Sequence, residues 1–222
     1  MTIRARVRDL RLRRQRRAFG DSRTYWEKNY ASGGNSGPGS YGVLADFKAK
    51  VLNSFVERHA VTSVIEFGCG DGHQLSLAKY PSYVGLDISP SAVRQCGSRF
   101  ETDSSKSFFV YDWTAWFDRG HVLRADLAIS LDVLFHVVEQ DAYDAYLRHL
   151  FQSAHRYVII YSVNDDRAFP EPYSRPRRFT GWVAEHEPAW ALEEVIENEN
   201  KVGATRPDGS WSDFYVFHRR HP

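Results

Sequence analysis

Short apolar runs alternate along this chain with segments of helical period. Runs over residues 63–67, 82–87, 108–111, 125–131 and 156–161 are the length of buried strands. Between and around them the apolar positions recur every three to four residues. Leu44, Phe47, Val51, Leu52 and Phe55 predict a helix over 41–58, and Tyr143, Tyr146, Leu147 and Leu150 give the inner face of another over 141–151. A helix is also expected over 72–80, and one more beginning at Pro90 with Ser89 as its cap. Strands alternating with helices predict an α/β fold, a parallel sheet with helices on both faces. The rhythm breaks at the end. Residues 190–196 and 213–217 are strand-like with no helical pattern between them, so they should pair antiparallel.

Two N-terminal stretches stand outside this pattern. Residues 1–20 read as a basic arm, with eight arginines against one acid in the first seventeen positions. A solvated tail and an anionic-surface contact both fit it. Residues 21–42 carry Tyr25, Trp26 and Tyr30, then a loop with Gly33, Gly34, Gly37, Pro38 and Gly39, then Tyr41. A linker and a lid over a site are both compatible with that composition. The catalytic domain is expected over 43–222.

Composition changes this picture little. The 222 residues, 42% apolar and 26% charged, suit one globular domain. The formal charge of +1 hides the arm, because the rest of the chain is net acidic. Cys69 and Cys96 form no disulfide framework, and the arginines are followed by no apolar run of a secretory signal. No apolar stretch reaches the ~18 residues of a membrane span. A cytoplasmic protein is the expectation.

The chemistry begins at Glu66-Phe67-Gly68-Cys69-Gly70-Asp71-Gly72, directly after the first strand. Ligands of open parallel sheets sit outside the carboxyl ends of the strands. Glycines there let a ligand approach the backbone. Asp87 ends the next strand, where a carboxylate is placed to accept ribose hydroxyls. The glycine spacing is not that of a dinucleotide fingerprint, and Glu66 would repel a pyrophosphate. The same carboxylate would attract a cationic amino-acid tail and a sulfonium.

Residues 64–72 resemble the first motif of class I S-adenosylmethionine methyltransferases, and residues 83–89 the second. The resemblance covers roughly residues 41–219 and implies their Rossmann-like fold. It implies S-adenosyl-L-methionine as cofactor, with S-adenosyl-L-homocysteine as product. The cofactor residues it implies are Glu66, Gly68, Cys69, Gly70, Asp87, Ile88, Asp112, Trp113 and Leu131; Tyr30 joins them if the aromatic stretch before residue 42 walls the site. Asp112 is also read as a turn cap, and Cys69 as a small residue in a tight turn. A narrower resemblance, over residues 25–42, 130–139, 158–162 and 177–182, is to small bacterial methyltransferases encoded near glycan gene clusters. It implies sugar hydroxyl methylation, a mannoside being one concrete acceptor. Members carry a His-x-x-His before the last of these stretches. This chain has Tyr173 and Pro176 there.

A hydroxyl acceptor needs a base. His136, just past the fourth strand, is the candidate, with the flanking Asp132 and Glu139 placed to orient or charge-stabilise its ring; a histidine hydrogen-bonded in a turn is the alternative. Tyr25, Trp26, Tyr41, Asp132, Arg177 and Trp182 are the candidate acceptor residues; Tyr25, Trp26, Tyr30 and Tyr41 are equally compatible with an N-terminal helix packed on the core. Asp132 is also compatible with a helix cap, a cofactor contact or a metal ligand, and the arginines around 175–178 with a solvated loop. No histidine pair has metal-ligand spacing, so no metal is expected. The expected partner is a small-molecule or oligosaccharide acceptor. The alternatives are an amine or other natural product, and RNA. The acidic body, and the lack of an Asn/Asp-Pro-Pro-aromatic stretch at the fourth strand, argue against base N-methylation, although the basic arm supports a nucleic-acid acceptor.

Overall fold

The computed structural model describes residues 19–116, 118, 120–203 and 206–220. Most of the arginine-rich arm lies outside the described residues. Seven strands form one sheet in the order β3-β2-β1-β4-β5-β7-β6. They are β1 (Val64–Phe67), β2 (Tyr83–Asp87), β3 (Lys106–Val110), β4 (Ala125–Leu131), β5 (Ala154–Ser162), β6 (Trp190–Ile196) and β7 (Asp213–Arg219). The first five are parallel, and β7 runs antiparallel between β5 and β6. The α/β sheet with a terminal antiparallel pair is the architecture that the alternation predicts.

Period-two alternation sorts the strand side chains to two cores. Ile65 and Phe67 of β1 join Val158 and Ile160 of β5 on one face, under α4 (Gln140–Gln152) and α5 (Phe179–His186). Val64 joins Leu127, Ile129, Ile159 and Tyr161 on the other, under α2 (Gly42–Arg58) and α3 (Pro90–Arg99). Glu66 alternates onto the α2 face, where it is buried. Ser89 caps α3 by accepting from the Ala92 amide at 3.1 Å, and Pro90 occupies the first turn.

The expected helix over 72–80 is reduced to a single 3-10 turn, Gln74–Leu77. The segment leaves Gly72 with φ +73, and Asp71 caps the His73 amide at 2.9 Å. Ser76 then turns its hydroxyl back on the His73 carbonyl, and Pro81 follows closely, so no second turn forms. Residues 22–31, by contrast, form a full helix, α1 (Ser22–Ala31), capped by Asp21 through the Thr24 amide at 2.7 Å. No described helix is long and apolar enough to cross a membrane.

The chain leaves β1 for β2 and β3 on one side and later fills β4 and β5 on the other. The strand order therefore reverses between β1 and β4, and a crevice opens at their carboxyl ends.

Candidate active site

A cavity of about 360 Å³ lies in that crevice. Its floor is made of the residues that follow four strands: Gly68 after β1, Asp87 and Ile88 at β2, Tyr111, Asp112 and Trp113 after β3, and Leu131, Asp132 and Val133 at β4. His136 and Glu139 extend the wall toward α4. Helix α1 and its cap supply the cover through Asp21, Ser22, Arg23, Thr24, Trp26 and Tyr30.

The glycine turn owes its shape to three glycines with positive φ. Gly68 is at +87, and a Cβ on it would stand 2.3 Å from Val133 Cγ2. The Gly68 and Cys69 amides both donate to the Leu86 carbonyl, at 2.7 and 3.0 Å, which pins the turn to β2. Asp87 completes the link. Its carboxylate accepts from the Gly70 amide and the Ser89 amide, both at 2.9 Å. Burial pushes Asp87 up to about 6 despite those two bonds. Glu66 is buried below the turn and accepts the Tyr83 hydroxyl at 2.6 Å. Burial pushes it up to about 7, opposed by the Tyr83 bond and the charge of Lys48. Asp87 lines the cavity, whereas Glu66 and Gly70 are not part of its lining; two carboxylates that resist ionisation so close to the turn favour a cation. Cys69 packs against Cys96, with the thiols 4.0 Å apart, and is off the cavity wall.

Three polar contacts hold α1 across the strand ends. At its start the Ser22 amide and hydroxyl each donate to Glu139, at 2.8 Å. Arg23 pairs with Asp112 at 2.9 Å. Glu27 accepts from the Ser89 hydroxyl at 2.6 Å and from Ser91 through its hydroxyl and amide, at 2.7 and 3.0 Å. Beyond α1 the chain folds back on the glycine turn. Ser36 accepts the Asp71 amide at 3.0 Å and donates its own amide to Asp71 at 2.9 Å. The approach is close, since a Cβ on Gly70 would meet Ser36 Oγ at 2.2 Å.

His136 sits under this cover. Trp26 meets its ring edge-on at 4.9 Å, and Phe135 packs at 4.4 Å. Its Nδ1 lies 2.9 Å from the Tyr173 carbonyl oxygen. A carbonyl only accepts, so Nδ1 carries the proton and Nε2 keeps the lone pair. Burial lowers the proton affinity of the ring, opposed by the Tyr173 bond and the charge of Asp132. A neutral imidazole with a free Nε2 has the form a general base needs.

The remaining predicted residues divide. Tyr30, Trp26 and Asp132 line the cavity with the cofactor candidates Gly68, Asp87, Ile88, Asp112, Trp113 and Leu131. Asp112 is also a turn cap. Its hydrogen bonds from Thr114, joined by Arg23, hold it down at about 2. Tyr25, Tyr41, Arg177 and Trp182 are not part of the cavity lining. Tyr25 stacks on Tyr173 at 4.4 Å. Tyr41 donates to Asp71 at 2.7 Å and stacks on His73. Arg177 lies 4.1 Å over the Tyr143 ring and donates to the carbonyls of Val137 and Val138. Trp182 donates to Asp144 at 2.9 Å. Glu139, expected to orient His136, holds Ser22 instead. Among the described residues no group of three His, Cys, Asp or Glu side chains is placed to hold a metal ion.

Sequence reasoning missed the polar half of the cover: Ser22, Arg23, Glu27 and Ser36. A capping aspartate at 21 before a 10-residue helix was the available signal. It also missed Lys48 and Ser212, which reach Asp132 from elements far apart in sequence.

Known structures share this architecture. An N-methyltransferase, NodS, from Bradyrhizobium japonicum WM9, solved with S-adenosyl-L-homocysteine, is similar with a TM-score of 0.69 at 15% identity, over 91% of this chain and 100% of that one. The magnesium protoporphyrin IX methyltransferase ChlM from Synechocystis PCC 6803, solved with S-adenosylmethionine, gives a TM-score of 0.61 at 16% identity, over 91% of this chain and 99% of that one. The methyltransferase domain of a bacterial Hen1 protein gives 0.59 at 19%, over 77% and 97%. No curated protein matches the sequence significantly. The family described as a methyltransferase domain matches residues 30–195, three quarters of the chain. The chain therefore belongs to the methyltransferase-domain family, and it is a methyltransferase of the class I fold.

Proposed function

We propose that this enzyme transfers the methyl group of S-adenosyl-L-methionine to a hydroxyl of a sugar or oligosaccharide, a mannoside being the narrower candidate, with His136 as general base. The observation that carries the hydroxyl reading is the state of His136. Its Nδ1 is committed to the Tyr173 carbonyl at 2.9 Å, and its ring is part of the cavity wall. An amine acceptor in its free-base form needs no such base; a hydroxyl does.

The cavity fits the cofactor on its own terms. Glu66 and Asp87, buried and reluctant to ionise, suit a ligand that brings positive charge. Asp87 stands where ribose hydroxyls would meet it. Ile88, Trp113 and Leu131 are apolar parts of the lining that suit a flat base, and Asp112 lines the same cavity. When bound, the sulfonium supplies an electrophilic methyl whose bond to sulfur breaks with the electron pair going to sulfur.

The residues of the chain have three tasks in this reading. Gly68, Asp87, Ile88 and Leu131 would hold the cofactor in the cavity that Asp132 and His136 also line. His136 Nε2 takes the hydroxyl proton as the oxygen attacks, and the oxygen must stand in line with the methyl and sulfur. Helix α1, held at Glu139, Asp112 and Ser89, acts as a lid that keeps water from the site. The acceptor enters beside Trp26, an amphipathic ring suited to the apolar face of a sugar. The same reading places the enzyme in the cytoplasm, which the free thiols of Cys69 and Cys96 support.

The test is a turnover screen with S-adenosyl-L-methionine against mannosides and other oligosaccharides, small amines and RNA, with product masses measured. Transfer to a saccharide hydroxyl is expected. His136→Ala should lower that turnover by about 10²- to 10⁴-fold and leave S-adenosyl-L-homocysteine binding intact. Full turnover in His136→Ala would remove the base, and methylation of amines or RNA alone would remove the acceptor class.

A further inference from the structure

Lys48, in the first half of α2, is buried to 0% exposure, and the methyl-transfer reading makes no use of it. Its ammonium meets Asp132 Oδ2 at 2.9 Å. A lysine this deep gives up its hydration, so the pair is weak evidence for stability and better evidence for a fixed arrangement. Asp132 is unusual in turn. It is a non-glycine residue at φ +57, on the cavity wall. Its second oxygen accepts the Ser212 hydroxyl at 2.8 Å. Gly39 passes so close that a Cβ there would stand 2.9 Å from Oδ2. Helix α2, the connection between β6 and β7, and the loop before α2 all converge on one carboxylate beside His136.

We propose that Lys48 and Ser212 are positioning residues, which hold the Asp132 carboxylate where its charge favours the imidazolium form of His136. The proposal rests on His136 as the base. When the acceptor hydroxyl gives its proton to Nε2, the ring becomes a cation in a half-buried place. A negative charge already fixed there stabilises it without reorganisation. The other charged groups nearby are engaged elsewhere: Glu139 with Ser22, Arg175 with the Val138 carbonyl, and Arg177 with the carbonyls of Val137 and Val138. Tyr25 and Tyr173 stack on each other; the charge of Asp132 raises the proton affinity of His136, and the Lys48 ammonium on its Oδ2 side opposes part of that effect.

The readout is the titration of the His136 imidazole by NMR on histidine-labelled protein, assigned with His136→Asn. Removing one charge alone strands the other in the interior and risks the fold. The decisive variant is therefore Lys48→Met with Asp132→Asn, which removes both. It should keep the circular dichroism spectrum of the wild type while the His136 midpoint falls by about half a unit to one unit. Ser212→Ala, which frees one oxygen and keeps both charges, should lower the midpoint by less, and Lys48→Arg should hold it. A His136 midpoint unchanged from wild type in the folded double variant overturns the proposal. If that variant does not fold, an unchanged midpoint in Ser212→Ala overturns it. The turnover of His136→Ala is a separate result. A midpoint that moves while that variant turns over fully would remove the base and leave the Asp132 coupling standing.

Discussion

Binding of S-adenosyl-L-homocysteine should tighten as the pH rises from about 5.5 to about 8, and Glu66 should be the main cause. In the unliganded protein, burial holds Glu66 at about 7 and Asp87 at about 6. A bound ammonium near them favours their ionised forms. If binding returns Glu66 to the ordinary carboxylate range, the proton it carries at low pH must be released on binding. The apparent affinity then changes about 30-fold between the two pH values, or about 2 kcal/mol. Asp87 adds about fourfold by the same argument. Isothermal titration calorimetry in two buffers of different ionisation enthalpy measures both the affinity and the proton release. Glu66→Gln should flatten the dependence to the about fourfold due to Asp87. The sign for stability is the opposite. A raised folded-state value means that the contribution of Glu66 is present below its ordinary value and is lost as the pH rises through about 7. The unliganded protein should therefore melt at lower temperature near pH 8 than near pH 5, and the ligand should restore more at the higher pH. An undiminished pH dependence of affinity in Glu66→Gln would refute the reasoning.

Other substitutions probe the turn and the cover. Gly68→Ala places a methyl 2.3 Å from Val133 at φ +87, so it should cost about 2–4 kcal/mol in chemical denaturation and weaken cofactor binding. Glu27→Ala removes three hydrogen bonds to Ser89 and Ser91 from a partly exposed site. It should cost about 1 kcal/mol, speed amide exchange in α1, and leave exchange in β1 and β4 unchanged.

The sheet was legible because its signals are local. Strands β1, β2, β4 and β5 are apolar on both faces, and runs such as 125–131 announce this at any reading distance. The glycine turn was legible for a related reason: three positive-φ positions in five residues require glycine wherever the chain lies. The expected helix after that turn did not form, because Asp71 and Ser76 satisfied the backbone locally in a way that apolar spacing does not register.

Side-chain destinations were harder. Arg177 and Trp182 carry the chemistry of a sugar site, yet in the fold they face Tyr143 and Asp144 of α4. Glu139 lies three residues from His136 in sequence, but α1 brings Ser22 to it first. Such pairings join residues from 34 to 117 positions apart, and residue type cannot choose among the possible partners. The sequence by itself determined the parallel sheet, the turn that follows β1 and the carboxylate at the end of β2, since each depends on near neighbours. Only the tertiary structure decided that α1 lies across the strand ends and that, among the described residues, the Nε2 of His136 has no hydrogen-bond partner. It alone decided that a buried lysine holds Asp132 at the wall, because α2, β4 and the β6–β7 connection meet only once the sheet is assembled.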